Sequence, residues 1–408
     1  MKHFLFFFSF FVISVLDGHS CTSIIVSGKA SADGRPFIFK NLDATDMDVA
    51  PIICNGEKYR YAAMTNKKND PFRPNRVSSG FNEMGFAIIN TVAHLSSDKK
   101  DVANNTRILR RALEICKTLK DFETLLDTLP RPLYIDSNYG VMDATGGVAY
   151  YEVVHNKYVK YDANNPEIAP NGYLIRTNFG FSGNKDFGAG YERYAAMEMY
   201  VEGIKRGEKI RFEDIIRGAT RFLTHGGTKV NLYNYQPENG GTPVFVDFKD
   251  FIPRRATVNA QLIQGIRNGG NALETTAWTI CGFPLSTVCV PIWLTPEGQL
   301  PKIVSRKSNK HSWICDAGLE IKKRLFPQNK ERKRNEINIS QLINKSGTGI
   351  LQRIKPIEDE VFSHARIVQS HFHKSKLWNR KVVDFYSWLD EFVISEYENK
   401  FGIKFDLL

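Results

Sequence analysis

A cysteine that stands first in a mature chain carries two halves of a catalyst on one residue. Its thiol is the nucleophile, and its free α-amine, with a reference pKa of about 8, is the base. Cys21, in Cys21-Thr22-Ser23-Ile24-Ile25-Val26, is placed to become such a residue. Residues 1–20 have the form of a secretory leader: a basic start at Lys2, then a run from Phe4 to Leu16 that is apolar except for Ser9 and Ser14. Gly18 and Ser20 then supply the small-x-small pattern that a signal peptidase cuts. Cleavage after Ser20 exposes Cys21, and an exported protein, secreted or periplasmic, is expected. Two other readings of the same stretch stand beside this one. Cys21 could simply open a buried strand, or it could carry a lipid, although a lipoprotein signal wants an aliphatic residue where Gly18 stands. The apolar run spans 13 residues, too short to cross a bilayer at about 1.5 Å per residue. No integral membrane segment is expected once the leader is gone.

Other groups must be brought to Cys21 by the fold. The β-branched run after Cys21 reads as a strand, Asp33-Gly34 as a tight turn, and Pro36 to Asn41 as the returning strand. That hairpin carries Lys40 and Asp43 back beside Cys21. A nearby cation favours a thiolate, and an acid can hold and orient a terminal amine; a plain turn residue is the other reading of Asp43. Asn82-Glu83-Met84-Gly85 is a turn between strands, and Phe86 to Ile89 is a buried strand that ends at Asn90. An amide there can serve a developing oxyanion or merely cap the strand. Residues 54–76 read as strand ends and a long loop. Asn105 to Leu129 has helical spacing and is stopped by Pro130 and Pro132. Tyr139 to Val154 is a hairpin, Gly172 to Phe179 a strand with Asn178 near its end, and Gly190 to Arg206 and Phe212 to Thr224 helices. Strands return over Arg254 to Gly265, Thr275 to Ile280 and Leu285 to Val290. Strands, helix, strands, helices, strands is the order of an α+β protein with layered antiparallel sheets.

The chain has 408 residues, 42% hydrophobic and 24% charged, as a soluble globular protein does. Its net charge of +11 is concentrated: Lys302 to Arg334 holds eleven Lys or Arg against three acids. This stretch reads as a basic linker, either a solvated face or a patch for anionic envelope surfaces; a secreted protein rarely meets nucleic acid, so none is expected as a partner. Glu336 to Ser370 and Leu377 to Lys400 read as helices. The expected domains are therefore a leader at 1–20, a catalytic domain at 21–301, a linker at 302–335 and a helical extension at 336–408. Of the six cysteines, none forms a C-x-x-C pair and none clusters with histidines, so no metal is expected. Cys281 and Cys289 sit in apolar contexts as buried thiols, with a disulfide between them the open alternative.

Cys21-Thr22-Ser23-Ile24 behind a leader, Ala32-Asp33-Gly34, Lys40-Asn41-Leu42-Asp43, Phe81-Asn82-Glu83-Met84-Gly85-Phe86-Ala87 with Asn90, and Val141-Met142-Asp143-Ala144-Thr145-Gly146 together resemble the N-terminal-cysteine branch of the N-terminal-nucleophile hydrolases. Within it, the choloylglycine hydrolase, penicillin V acylase and isopenicillin N acyltransferase group is most similar. The resemblance covers residues 21–295 in scattered blocks. It implies a four-layer αββα sandwich and cleavage of linear amides in small N-acyl compounds through an acyl-enzyme, with no cofactor. It implies that Cys21 is the nucleophile, Asp43 the acid that orients the amine, Asn90 a main-chain donor to the oxyanion and Asn178 a side-chain donor beside it. Arg193 matches a late arginine that supports the nucleophile. The bile-salt-cleaving members have arginine where Lys40 stands, a planar fork replaced by a point charge. Related peptidases share the Ala32-Asp33-Gly34 block, which keeps a dipeptidase as an alternative; a non-catalytic envelope-binding protein is another. Relatives are often oligomeric, which leaves a homo-oligomer open.

Overall fold

The computed structural model describes residues 20–65, 77–96, 104–183, 188–204, 208–238, 242–306, 312–327, 334–372 and 375–404. The leader at 1–19 lies outside the described residues, as do 66–76 of the expected long loop.

The chain opens with the hairpin of β1 (Cys21–Val26) and β2 (Phe37–Asp43). Gly34, at φ 77°, makes the turn that the Asp33-Gly34 pair predicts. Strands β3 (Ala50–Asn55), β4 (Arg60–Thr65), β5 (Val77–Asn82) and β6 (Ala87–Val92) follow. Next come α1 (Asn105–Ile115), α2 (Leu119–Thr128), β7 (Asp136–Met142), β8 (Val148–Val154), β9 (Lys157–Asp162), β10 (Tyr173–Arg176) and α3 (Tyr191–Gly203). The chain continues through β11 (Phe245–Asp247), β12 (Thr257–Gln264), β13 (Thr276–Cys281), β14 (Val290–Ile292), α4 (Trp313–Leu325), β15 (Glu336–Asn338), α5 (Ile339–Leu342), α6 (Ile350–Gln369) and α7 (Ser375–Phe401).

Two antiparallel sheets form the centre. One has the order β10-β1-β2-β12-β13-β14, the other runs β3 to β9 in sequence. They face each other through β1 and β2 on one side and β6, β7 and β8 on the other. The strands that meet at the centre, β1, β2, β6 and β7, are buried along almost their whole length, whereas the edge strand β9 is largely exposed or half-buried. Helices α1 and α2 cover the outer face of the seven-stranded sheet through Leu109, Leu113, Phe122 and Leu126. On the outer face of the other sheet, α3 packs at β10 and α6 at β14. The result is the αββα sandwich expected from the sequence, with further helices at its C-terminal end.

Several elements differ from their sequence expectations. The single helix expected over 105–129 is broken at Cys116 because Thr118 caps a new helix start: its side chain accepts from Asp121 N while the Asp121 carboxylate accepts from Thr118 N. The long loop expected over 54–76 contains β4, whose Tyr61 to Thr65 are buried. The helix expected over 212–224 is a π turn at Asp214–Gly218 followed by a 3-10 turn. There Gly218 lies against Tyr200, and a Cβ would overlap the phenol oxygen. The stretch expected as a linker, 302–335, holds α4, with Ile314, Cys315, Ile321 and Leu325 buried in the same core as the sheet; Lys322 is buried with them, while Lys323 and Arg324 are exposed. The expected helix over 336–370 begins as β15, paired with β11, and breaks before Gly349. No disulfide joins any of the six cysteines, Cys281 and Cys289 included.

A buried ion pair fastens α6 to the sheet domain. Arg221 grips Glu358 through two bonds of 2.6 Å, and Glu358 also accepts from Cys289 N at 2.7 Å. Removing one partner of such a pair leaves an uncompensated buried charge, at about 3–5 kcal/mol. Glu358→Ala is therefore expected to lower the urea unfolding midpoint by a corresponding amount, whereas the double variant Arg221→Met/Glu358→Leu should recover most of the loss.

Candidate active site

β1 and β2 place the first groups. Their register sets Cys21 opposite Leu42 and Ser23 opposite Lys40. Cys21 and Lys40 are thus diagonal neighbours on one face of the ladder, close enough for their side chains to interact. Cys21 is buried, at 2% exposure. Lys40 crosses the gap between the sheets: its Nζ donates to Ser78 O on β5 at 3.0 Å and to Asn90 Oδ1 on β6 at 2.9 Å. Asn90 in turn donates from Nδ2 to Ser137 Oγ at 3.1 Å.

The main-chain nitrogen of Cys21 has a dedicated partner. It donates to Asn178 Oδ1 at 2.7 Å. The same oxygen accepts from Arg193 Nη2 at 2.9 Å, and Asn178 Nδ2 donates to Val92 O at 3.0 Å. Arg193, on the first turn of α3, also donates from Nη1 to Cys21 O and to Thr22 Oγ1, the latter at 2.8 Å. Gly190, just before it, has φ 84°, and a Cβ there would strike the guanidinium, so the helix start is shaped around Arg193. Ser20, still joined to Cys21, is held by these groups: its Oγ donates to Asn178 Oδ1 at 3.0 Å and accepts from Arg193 Nη2 at 2.6 Å, and its carbonyl accepts from Asp43 N at 2.8 Å. Ser20 is itself buried, so cutting after it vacates space directly beside the Cys21 thiol.

The electrostatics of the cluster oppose one another. Burial pushes the Cys21 thiol up; the Lys40 and Arg193 cations pull it down, and the Asp43 carboxylate pushes it up again. Burial likewise lowers Lys40, with a Cys21 thiolate acting the other way, and lowers Arg193 against the pull of Asp43. Because Lys40 favours the thiolate, Lys40→Met is expected to move the midpoint of Cys21 alkylation to higher pH. Iodoacetamide rates measured across pH check this; an unmoved midpoint would remove Lys40 from thiol tuning.

The structure brings together all of the residues singled out in the sequence: Cys21, Lys40, Asp43, Asn90, Asn178 and Arg193. Two are held in a geometry other than the one the resemblance implies. Asn178 faces Cys21 N with its oxygen, not its NH₂: Cys21 N, Ser20 Oγ and Arg193 Nη2 all donate to that atom, while Nδ2 donates to Val92 O, which sets an acceptor at the Cys21 nitrogen. The Asp43 carboxylate is held by Arg254 Nε at 2.8 Å and Thr257 Oγ1 at 2.6 Å, and its main-chain N–H is the group that reaches Ser20 and the Cys21 thiol.

Sequence reading missed Arg254, Thr257 and Ser20. The visible signal was Arg254-Arg255 directly ahead of an apolar strand; the register Thr257 opposite Asp43 gives it meaning. Among the described residues no group of His, Cys, Asp and Glu is arranged to hold a metal, and no helix is long and apolar enough to cross a membrane.

Residues 33–183 match the family model of acyl-coenzyme A:6-aminopenicillanic acid acyl-transferase. No curated protein sequence matched. Among solved structures, the chain is similar to the Caenorhabditis elegans ortholog of N-acylethanolamine-hydrolyzing acid amidase, at 14% identity and TM-score 0.39, over 60% of this chain and 92% of that one. It is similar to a mutant of conjugated bile acid hydrolase from Clostridium perfringens, at 12% identity and TM-score 0.39, over 67% and 92%. Penicillin V acylase from Agrobacterium tumefaciens is similar at 13% identity and TM-score 0.37, over 67% and 85%.

Proposed function

We propose that the chain, whose residues 33–183 match the acyl-transferase family model, is an exported amidase of the N-terminal-nucleophile, choloylglycine hydrolase-like group in which Cys21, freed at its amine, cleaves linear amides of N-acyl compounds through a thioester. The coarser statement, an amidohydrolase or acyltransferase, rests on the match over residues 33–183. The finer reading is carried by one observation: the nitrogen of Cys21 points at Asn178 Oδ1, itself fixed by Arg193. An N–H held there as a peptide becomes, after cleavage, an α-amine anchored through one hydrogen with its lone pair free.

That amine takes the thiol proton, directly or through a water. The thiolate, favoured by Lys40 and Arg193, attacks the substrate carbonyl in the space Ser20 vacates. The Asp43 N–H, released from Ser20 O, donates to the oxyanion, and the main-chain amide of Asn90 is the second donor. Each such donor is typically worth on the order of 10²–10³ in rate. The amine returns its proton to the leaving nitrogen. Water, or a second amine, then takes the acyl group from sulfur and regenerates the thiol. Export is proposed from the apolar leader and its small-x-small end.

A panel of N-acyl amino acids, N-acyl ethanolamines, bile conjugates, penicillin V and dipeptides, offered to protein beginning at Cys21, tests the function. Amine release from N-acyl compounds is the expected result. Release from dipeptides alone would make it a peptidase, and release from none would overturn the proposal.

A further inference from the structure

Glu152, on β8, is a buried carboxylate that the proposed reaction does not use. It accepts from Arg176 Nε at 3.1 Å, from Phe181 N and Ser182 N at 2.9 Å each, and from the Tyr161 hydroxyl at 3.4 Å. Its pair with Arg176 bridges the two sheets, since β8 belongs to one and β10 to the other. Three of these donors also flank Asn178 in the chain. Arg176, at the end of β10, precedes it; Phe181 and Ser182 follow it in the next loop. One carboxylate therefore fastens both sides of the segment from which the Asn178 side chain projects. Hydrogen bonds to an ionised group are roughly twice as strong as neutral ones.

The surroundings reinforce that grip. The Arg176 guanidinium lies over the Phe181 ring, 4.0 Å from its centroid. The Arg176 carbonyl accepts from Ser23 Oγ, on the same strand as Cys21, at 3.1 Å. Asn138 Nδ2 donates to Phe179 O at 3.2 Å. Leu95 packs so closely on Gly180 and Gly183 that a Cβ at either would overlap its side chain. Such fixing matters because Asn178 Oδ1 is the acceptor of the Cys21 nitrogen, and a displacement of about 1 Å in a group that orients a reacting atom can cost on the order of 10²-fold in rate.

We propose that Glu152 is a positioning residue for the reaction: by joining Arg176 to the main chain at 181–182, it fixes the Asn178 carboxamide and, through it, the amine of Cys21. The inference rests on the reading of Cys21 as both nucleophile and base. Glu152 touches neither the thiol nor the substrate, so its whole effect passes through Asn178.

A double-mutant cycle in protein that begins at Cys21 tests this. Glu152→Gln keeps the shape but offers one acceptor oxygen where the carboxylate offers two. It should lower kcat by on the order of 10²-fold with little change in KM, and Glu152→Asp should recover part of the loss. In an Asn178→Leu background the same substitution should cost no more than about threefold, because the residue it positions is gone. An equal loss in both backgrounds, or a raised KM at unchanged kcat, overturns the proposal. Glu152→Gln leaves Arg176 buried without its counter-charge, so the urea midpoint is measured beside the rates. If that variant does not fold, Leu95→Ala loosens the same loop without touching the ion pair. A loss of kcat that disappears in the Asn178→Leu background is again expected, and no loss, or one that persists there, overturns the proposal. Should wild type cleave no amide, the function fails separately and iodoacetamide labelling decides. With the amine no longer held beside the thiol, the pH midpoint of Cys21 alkylation should rise in Glu152→Gln or Leu95→Ala, as in Asn178→Leu, and rise no further in the double variant; an unmoved midpoint overturns the proposal.

Discussion

Cys21→Ala, in protein that begins at residue 21, is expected to lower amide turnover by on the order of 10⁶-fold, the loss typical of a hydrolase deprived of its nucleophile. The size follows from what the residue does. In the proposed reaction Cys21 supplies the atom that forms the acyl bond, and the other five cysteines lie elsewhere in the fold. Cys281, Cys289 and Cys315 are buried in the core behind the first sheet, where burial raises all three thiols. Cys116 and the half-buried Cys54 belong to the cluster between α1, α2 and the outer side of the other sheet. Cys21→Ser separates the two functions of the residue, since it keeps the amine and exchanges the sulfur for a weaker nucleophile. Initial rates of amine release measure both variants. Turnover by Cys21→Ala within tenfold of wild type would remove the covalent mechanism altogether.

The second large effect is expected at Asn178. Asn178→Leu deletes the acceptor for the Cys21 nitrogen and one of the anchors of Arg193. The amine is then free to rotate away from the thiol, and general-base assistance, worth typically about 10²–10⁴-fold, is lost. The loss should fall on kcat, because the amide side chain is already occupied at Cys21 and at Val92 O and is not offered to substrate. A variant that raises KM and leaves kcat alone would instead make Asn178 a binding residue. Protein made with Cys21 first avoids confusing this effect with failed leader removal, since Asn178 also holds Ser20.

Much of this site was legible before any coordinates. The short distance in sequence between Cys21 and Asp43, bridged by Asp33-Gly34, requires a hairpin, and a hairpin of that length returns Lys40 and Asp43 to Cys21. Asn90, Asn178 and Arg193 come from separate strands and a helix, so their arrival depended on the family resemblance, not on local pattern. What the sequence could not reveal was direction. Whether Asn178 presents oxygen or nitrogen depends on Arg193, on a later helix, and on Val92, on another sheet. The partner of Asp43 depends on β12 pairing with β2, a long-range choice that places Arg254 and Thr257 at the carboxylate. The linker was misread for a related reason. Eleven basic residues over Lys302 to Arg334 hide the helical spacing of Ile314, Ala317, Ile321 and Leu325, whose apolar stripe fixes α4 to the core.

The central claim is that sulfur and nitrogen of a newly terminal Cys21 act together. Intact mass combined with iodoacetamide labelling tests it most directly. The account predicts that the active protein begins at Cys21 without added lipid, and that one adduct, mapped to Cys21, appears in step with loss of amide turnover. Full activity in a chain that retains Ser20, or in one whose Cys21 is already alkylated, would contradict it.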